Sequence, residues 1–115
     1  MTAKIIDPVI YQALASMVGE DYIGEMVEAF LDEGAQFLKQ LSKALDTHDT
    51  ELFRRAAHSI KSNATTFGAL ALSELAEELE AIAREDKLKN ADVKLEPLSR
   101  AFTDASQALK KLKND

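Results

Sequence analysis

Apolar residues recur at intervals of three and four from residue 23 to residue 112. This spacing places them along one side of an α-helix, because a helix has about 3.6 residues per turn. Strand-like alternation of apolar and polar residues is absent, so the sequence predicts an all-α fold. The predicted stripes are Ile23, Val27, Phe30, Gly34, Phe37, Leu38, Leu41 and Leu45; Phe53, Ala56, Ala57, Ile60, Ala64 and Phe67; Leu72, Leu75, Ala76, Leu79, Ile82 and Ala83; and Leu95, Leu98, Phe102, Ala105, Leu109 and Leu112.

Short breaks separate the predicted helices and determine how they can be arranged. Connections of this length join neighbouring antiparallel helices, so we predict an antiparallel four-helix bundle. An additional short N-terminal helix is predicted, with Asp7 as its N-cap and Pro8 at its first position. Pro97 predicts that the last helix begins near residues 94–96, or that it bends if it begins at Asp92. The breaks lie at 18–21, 46–50, 67–70 and 86–92.

Length and composition limit the classes of protein that this chain can belong to. Its 115 residues predict one domain, 1–115. The absence of cysteine excludes disulfides and thiolate metal sites and favours a cytoplasmic location. No stretch approaches about 18 consecutive apolar residues, so we predict neither a signal peptide nor a membrane span. The net charge of -6 repels phosphate backbones and anionic lipids, so no nucleic acid or membrane partner is expected.

His58, one of two histidines, lies in the second predicted bundle helix. At about 100° per residue, it points roughly 150° away from the centre of the apolar arc, so we predict an exposed ring. Arg54, Arg55 and Lys61 bring positive charge to the same face, and the small Ser62 lies one turn beyond. This surface suits an anion near the ring, although an exposed histidine beside basic residues is also ordinary helix surface.

The segment "AHSIKSNATTFGA", residues 57–69, resembles the signature of histidine-containing phosphotransfer (HPt) domains. The segments "YIGEMVEAFLDEGAQFLKQL" and "LALSELAEELEAIAR" resemble the helices before and after that signature in the family. The resemblance therefore spans nearly the whole chain, and the family's four-helix bundle with an extra N-terminal helix agrees with the periodicity. The signature positions here are His58, Lys61, Ser62, Asn63, Ala64, Phe67, Gly68 and Ala69.

The resemblance implies a carrier in a two-component phosphorelay, not an enzyme with its own ATP-dependent kinase activity. His58 would carry a phosphoryl group on Nε2 and exchange it with aspartates of response-regulator receiver domains. A hybrid sensor histidine kinase is a further implied partner. No cofactor is expected on this chain, because the divalent metal belongs to the receiver in this family. We expect a monomer, since an oligomer interface over His58 would block its use.

The resemblance also assigns roles to other signature residues. Lys61 would supply positive charge to the phosphoryl group, whose transfer is stabilised mainly by positioning and charge. Ser62 would leave space for the approaching receiver. Gly68 would mainly end the helix in a positive-φ conformation.

Residues outside the strict signature have less definite roles. Glu80 matches a position from which several family members contact the inner histidine nitrogen, where a carboxylate would leave Nε2 as the free nucleophile. A solvent-facing glutamate is the alternative interpretation. Arg54 and Arg55 would tune the local charge or contact the receiver, or contribute only to solubility.

Other hypotheses make different demands on the sequence. A phosphorylation-independent adaptor that binds receiver domains would need neither His58 nor Lys61, and a metal- or cofactor-binding bundle enzyme would need inward Glu and His pairs that are lacking. His48 is predicted to lie in a loop, and Gly34 to allow close helix packing. Core or edge positions are predicted for Met17, Tyr22 and Met26.

Overall fold

Five α-helices follow one another in the computed structural model, which describes residues 5–114. Within that range no residue lies in a β-strand, so the predicted all-α class is confirmed. Helices α2 to α5 form the antiparallel bundle, in which α2 and α4 each pack against both α3 and α5. The short helix α1 packs against α2 and α3. The helices are α1 (Pro8–Val18), α2 (Glu20–Thr47), α3 (Thr50–Phe67), α4 (Leu70–Arg84) and α5 (Asp92–Asn114), with a 3-10 turn at Leu88–Asn90 before α5.

The core lies where the four apolar stripes meet. On α3 every residue of the predicted stripe is buried. On α2 most of the predicted stripe is buried together with Ala44, whereas Phe37, Leu38 and Leu45 are only partly buried. Phe30 joins three helices, because its ring centroid lies 5.3 Å from that of Phe67 on α3 and 5.4 Å from that of Phe102 on α5. This packing fixes the orientation of α3, so the face opposite its buried stripe is exposed to solvent.

The N-terminal helix begins where the sequence predicts. Asp7 Oδ1 accepts hydrogen bonds from the backbone N–H groups of Val9 and Ile10, at 2.9 and 3.4 Å, and Pro8 is the first helical residue. Gly68 ends α3 with a φ of 81°, as predicted. Its carbonyl also accepts a 2.9 Å hydrogen bond from the Asp7 N–H, so the end of α3 anchors the start of α1.

The structure selects the second alternative for the last helix, a start at Asp92, and one expectation about packed positions is wrong. Helix α5 begins at Asp92 and contains Pro97, because the buried Leu88 and Ala91 already hold the preceding turn against the bundle. The N–H that proline lacks would have bonded to the carbonyl of Val93, which is an exposed residue, so water can replace that donor. Met17 and Tyr22 are exposed instead of packed, because each lies beside an apolar stripe and not within it.

No helix in residues 5–114 combines the length and apolar character needed to cross a bilayer.

Gly34 allows α2 and α5 to approach each other closely. A Cβ atom at this position would overlap the ring of Phe102. The expected close packing at Gly34 is therefore confirmed, and it explains a glycine in the middle of a long helix.

We predict that Gly34→Ala lowers the free energy of unfolding by about 1–2 kcal/mol, because the overlap with Phe102 outweighs the better helix propensity of alanine. Urea denaturation measures this change. Gly24→Ala in the same helix is the matched control, since its methyl group would meet the Lys113 side chain at an ordinary 3.7 Å. We expect this control to be neutral or slightly stabilised, and equal losses in both variants would contradict the explanation.

Candidate functional site

His58 lies on the outward face of α3, and 54% of its side chain is exposed. The neighbouring Ala57 and Ile60 are buried, so the packing of α3 determines which way the imidazole faces. The exposure predicted from the helical wheel is confirmed. A ring in this position can be reached by another macromolecule.

Glu80 on α4 holds the inner side of the His58 ring. Its Oε2 atom lies 3.0 Å from His58 Nδ1, and its side chain is only 5% exposed. The solvent-facing alternative for Glu80 is therefore wrong. An ionised carboxylate can only accept hydrogen bonds, so Nδ1 donates its proton to Glu80 and the lone pair of a neutral ring lies on Nε2.

Two cations compensate the buried carboxylate. Lys61 Nζ lies 2.6 Å from Glu80 Oε1, and Arg84 Nη1 lies 3.5 Å from Glu80 Oε2. Burial is the largest single effect and raises the pKa of Glu80, but the hydrogen bonds and charge interactions with Lys61 and His58 together outweigh it, so the pKa lies below its ordinary value. Glu80 is therefore ionised at neutral pH and can balance positive charge on the histidine ring.

Lys61 also binds a second carboxylate, that of Glu77 on α4. Its Nζ atom lies 2.7 Å from Glu77 Oε2. The hydrogen bond from Lys61 lowers the pKa of Glu77, and the bonds to Glu77 and Glu80 raise the pKa of Lys61. The ammonium that was expected to serve a phosphoryl group is thus engaged by two carboxylates in this structure.

Glu77 and Arg84 are site residues that the sequence reasoning missed. Arg84 Nη2 lies 3.5 Å from Glu77 Oε1, so it contacts both carboxylates that bind Lys61. The signal was present in the spacing, because residues 77, 80 and 84 recur at three and four on α4 and share a face. Recognising it required knowing that this face meets α3.

The remaining predicted residues surround the ring more loosely. Arg54 binds Glu51 with N···O distances of 2.5 and 3.3 Å, and Arg55 Nε lies 3.8 Å from the same carboxylate. Both arginines therefore pair along their own helix. Ser62 is exposed one turn after His58, whereas Gly68 lies at the end of α3, about 15 Å from His58 along the helix axis.

The described residues contain no grouped metal ligands, and the second histidine lies away from the site. Across residues 5–114, no three His, Asp or Glu side chains are grouped so that they could hold a metal ion. His48 is the residue that ends α2, with a φ of 54°, in agreement with its predicted place between helices.

The amino-acid sequence of the chain matches a known protein family. A model described as the Hpt domain matches residues 25–113. The chain belongs to the Hpt domain family. Its structure is similar to the solved structure of histidine-containing phosphotransfer protein B from Pseudomonas aeruginosa PAO1, with a TM-score of 0.91 and 26% identity, over 98% of this chain and 97% of that one.

Two curated relatives of this Hpt domain carry the name phosphorelay protein LuxU. They come from Vibrio vulnificus strains YJ016 and CMCP6, and each is 33% identical to this chain over 73 residues. The matched region covers 64% of this chain and 64% of each relative's length. The chain thus matches somewhat under two thirds of the length of these relatives.

We predict that Glu80→Gln lowers the free energy of unfolding by about 1–3 kcal/mol at pH 7, because the amide loses the charge-assisted bonds from Lys61 and His58. The carboxylate stabilises the fold above its ordinary pKa of 4.5. That contribution is lost as the pH falls through the lower pKa of the folded state, so the difference between the two proteins should shrink below pH 4.5.

Urea denaturation at a series of pH values measures this difference. Glu78→Gln is the control, because the 3.6 Å ion pair between Glu78 and Lys94 is exposed. Equal stability of Glu80→Gln and wild type at pH 7 would show that the buried network adds nothing to the fold.

Proposed function

We propose that this Hpt domain reversibly carries a phosphoryl group on Nε2 of His58 in a two-component phosphorelay. The observation that supports the proposal is the contact between His58 Nδ1 and the buried Glu80 carboxylate on an otherwise exposed ring. This contact keeps the proton on Nδ1 and leaves the nucleophilic lone pair on Nε2. The two ring nitrogens point in different directions, so Nε2 faces an incoming partner.

The proposed donor is an aspartyl phosphate on a receiver domain. The Nε2 lone pair attacks phosphorus, an N–P bond forms, and the P–O bond to aspartate breaks with its electron pair leaving on the aspartate carboxylate. The ring becomes a phosphoimidazolium that keeps its proton on Nδ1. Glu80 then faces a positively charged ring, and this ion pair stabilises the phosphorylated form. The reverse steps return the group to an aspartate.

In this proposal, this chain and the receiver both place positive charge beside the phosphoryl group during transfer. The transition state of phosphoryl transfer is loose, and positive charge near its oxygens stabilises it. Lys61 lies three residues after His58, on the adjacent turn of α3, and supplies one such charge. The receiver supplies a divalent metal, and this chain needs no cofactor of its own.

The proposed partners are response-regulator receiver domains and a hybrid sensor histidine kinase. The exposed, small Ser62 beside His58 leaves space for a receiver to approach. The chain acts as a monomeric carrier in the cytoplasm and not as an ATP-dependent kinase. The names of its relatives, a phosphorelay protein and a histidine-containing phosphotransfer protein, support this assignment.

Transfer from a phosphorylated receiver domain tests the carrier function. We expect the wild-type chain to gain acid-labile, alkali-stable phosphate and His58→Gln to gain none. His48→Gln is the matched control, because it removes the other histidine of the chain and should be labelled like wild type. Equal labelling of His58→Gln would contradict the proposal. Receiver binding without any label would instead support the adaptor hypothesis.

We also predict that Lys61→Ala slows transfer about tenfold, because a charge-assisted hydrogen bond of about 1.5 kcal/mol is lost from the transition state. Rapid-quench kinetics with the same receiver measures the rate. Circular dichroism checks that the fold is retained, and Lys89→Ala removes an exposed lysine outside α3 as a control. An unchanged rate for Lys61→Ala would remove this residue from the mechanism.

A further inference from the structure

Glu77 binds the lysine that the proposed transfer reaction requires. We propose that Glu77 occupies Lys61 while His58 is unphosphorylated, and that a phosphoryl group on His58 displaces Glu77 from this lysine. Glu77 thereby weakens the hold of His58 on the phosphoryl group and favours its release to the receiver. This inference rests on the carrier function proposed for His58.

Glu77, Glu80 and a phosphoryl group on His58 would compete for the N–H donors of Lys61. An ammonium has three N–H donors, and the carboxylates of Glu77 and Glu80 accept two of them at 2.7 and 2.6 Å. A phosphoryl group on the neighbouring His58 presents three further acceptor oxygens to the same ammonium. One N–H donor of Lys61 remains for that group, and a second becomes available only when Lys61 gives up one of its carboxylates.

Burial decides which carboxylate is given up. The side chain of Glu80 is 5% exposed, so loss of Lys61 would leave a buried negative charge with fewer partners. The side chain of Glu77 is 49% exposed, so water can replace the lysine there at little cost. Glu77 is therefore the partner that exchanges, and Glu80 is the one that stays.

Arg84 provides a position for the released carboxylate. It lies 3.5 Å from Glu77 Oε1, whereas Lys61 binds the other oxygen, Oε2. Glu77 can consequently lose Lys61 and remain beside Arg84 on the same helix. The exchange needs only side-chain motion and no movement of α3 against α4.

The charge balance explains why Glu77 affects the phosphorylated state. Lys61 and Arg84 carry two positive charges, and Glu77 and Glu80 carry two negative charges, so the cluster around a neutral His58 has no net charge. A phosphoryl group adds negative charge to this neutral cluster. Neutralising Glu77 would leave one uncompensated positive charge and would free Lys61, and both changes favour the phosphorylated histidine.

The equilibrium between the Hpt domain and a receiver tests this inference. After mixing with a phosphorylated receiver domain, we expect Glu77→Gln to raise the ratio of phosphorylated bundle to phosphorylated receiver about two- to fivefold, the range for a partly exposed ion pair. Glu78→Gln is the matched control, with the same substitution at the next position, 53% exposure and a pairing to Lys94 instead of Lys61. We expect it to match wild type.

A second measurement separates displacement from a structural role. The hydrogen bond from Lys61 lowers the pKa of Glu77 in the unphosphorylated protein. When His58 is phosphorylated chemically with phosphoramidate, we expect NMR at neutral pH, where the acid-labile phosphate persists, to show the carboxyl signal of Glu77 shifting while that of Glu78 stays constant. In a Lys61→Ala background, the shift in the receiver equilibrium caused by Glu77→Gln should fall below twofold.

The outcomes distinguish this inference from the function on which it rests. If wild type is labelled but Glu77→Gln and Glu78→Gln show the same receiver equilibrium, the role of Glu77 is overturned and the carrier function stands. An unchanged Glu77 carboxyl signal after phosphorylation would have the same meaning. If wild type takes phosphate from neither the receiver nor phosphoramidate, the carrier function is overturned, and the role of Glu77 with it.

Discussion

The packing of α3 against α4 is the contact on which the site depends. Small side chains are prominent among the buried residues of these two helices, including Ala56, Ala57, Ala76 and Ala83. They allow the helices to lie close together, so a glutamate on α4 reaches a histidine ring on α3. Without this approach, His58 would be an ordinary surface histidine beside several charged residues.

Close approach also buries the charge of Glu80, and the surrounding side chains compensate for it. Lys61, Arg84 and the His58 ring all lie within 3.5 Å of its oxygens. A buried carboxylate that lost these partners would be costly, so the network holds the ring in one orientation. The same network determines how much positive charge remains for an incoming phosphoryl group. The stability of the bundle and the chemistry proposed for His58 are thus linked through one carboxylate.

Much of the fold followed from local rules. The three- and four-residue spacing located the stripe of α3, and Asp7 with Pro8 located the start of α1. Local rules were insufficient where tertiary packing decides the outcome. Pro97 left two possible starts for α5, and the buried turn before Asp92 selects the earlier one. Met17 lies near a stripe and was expected at the core or its edge, but it is 77% exposed.

The sequence by itself determined the helices, the exposure of His58 and the resemblance to the Hpt family, because these depend on spacing along one helix or on a contiguous motif. Only the tertiary structure decided which side chains surround the ring. The contacts of His58 with Glu80, and of Lys61 with Glu77 and Glu80, join residues 22, 16 and 19 positions apart. Helical periodicity specifies the face of each helix but not the height at which two helices meet, and that height brings Glu77 and Glu80 to Lys61.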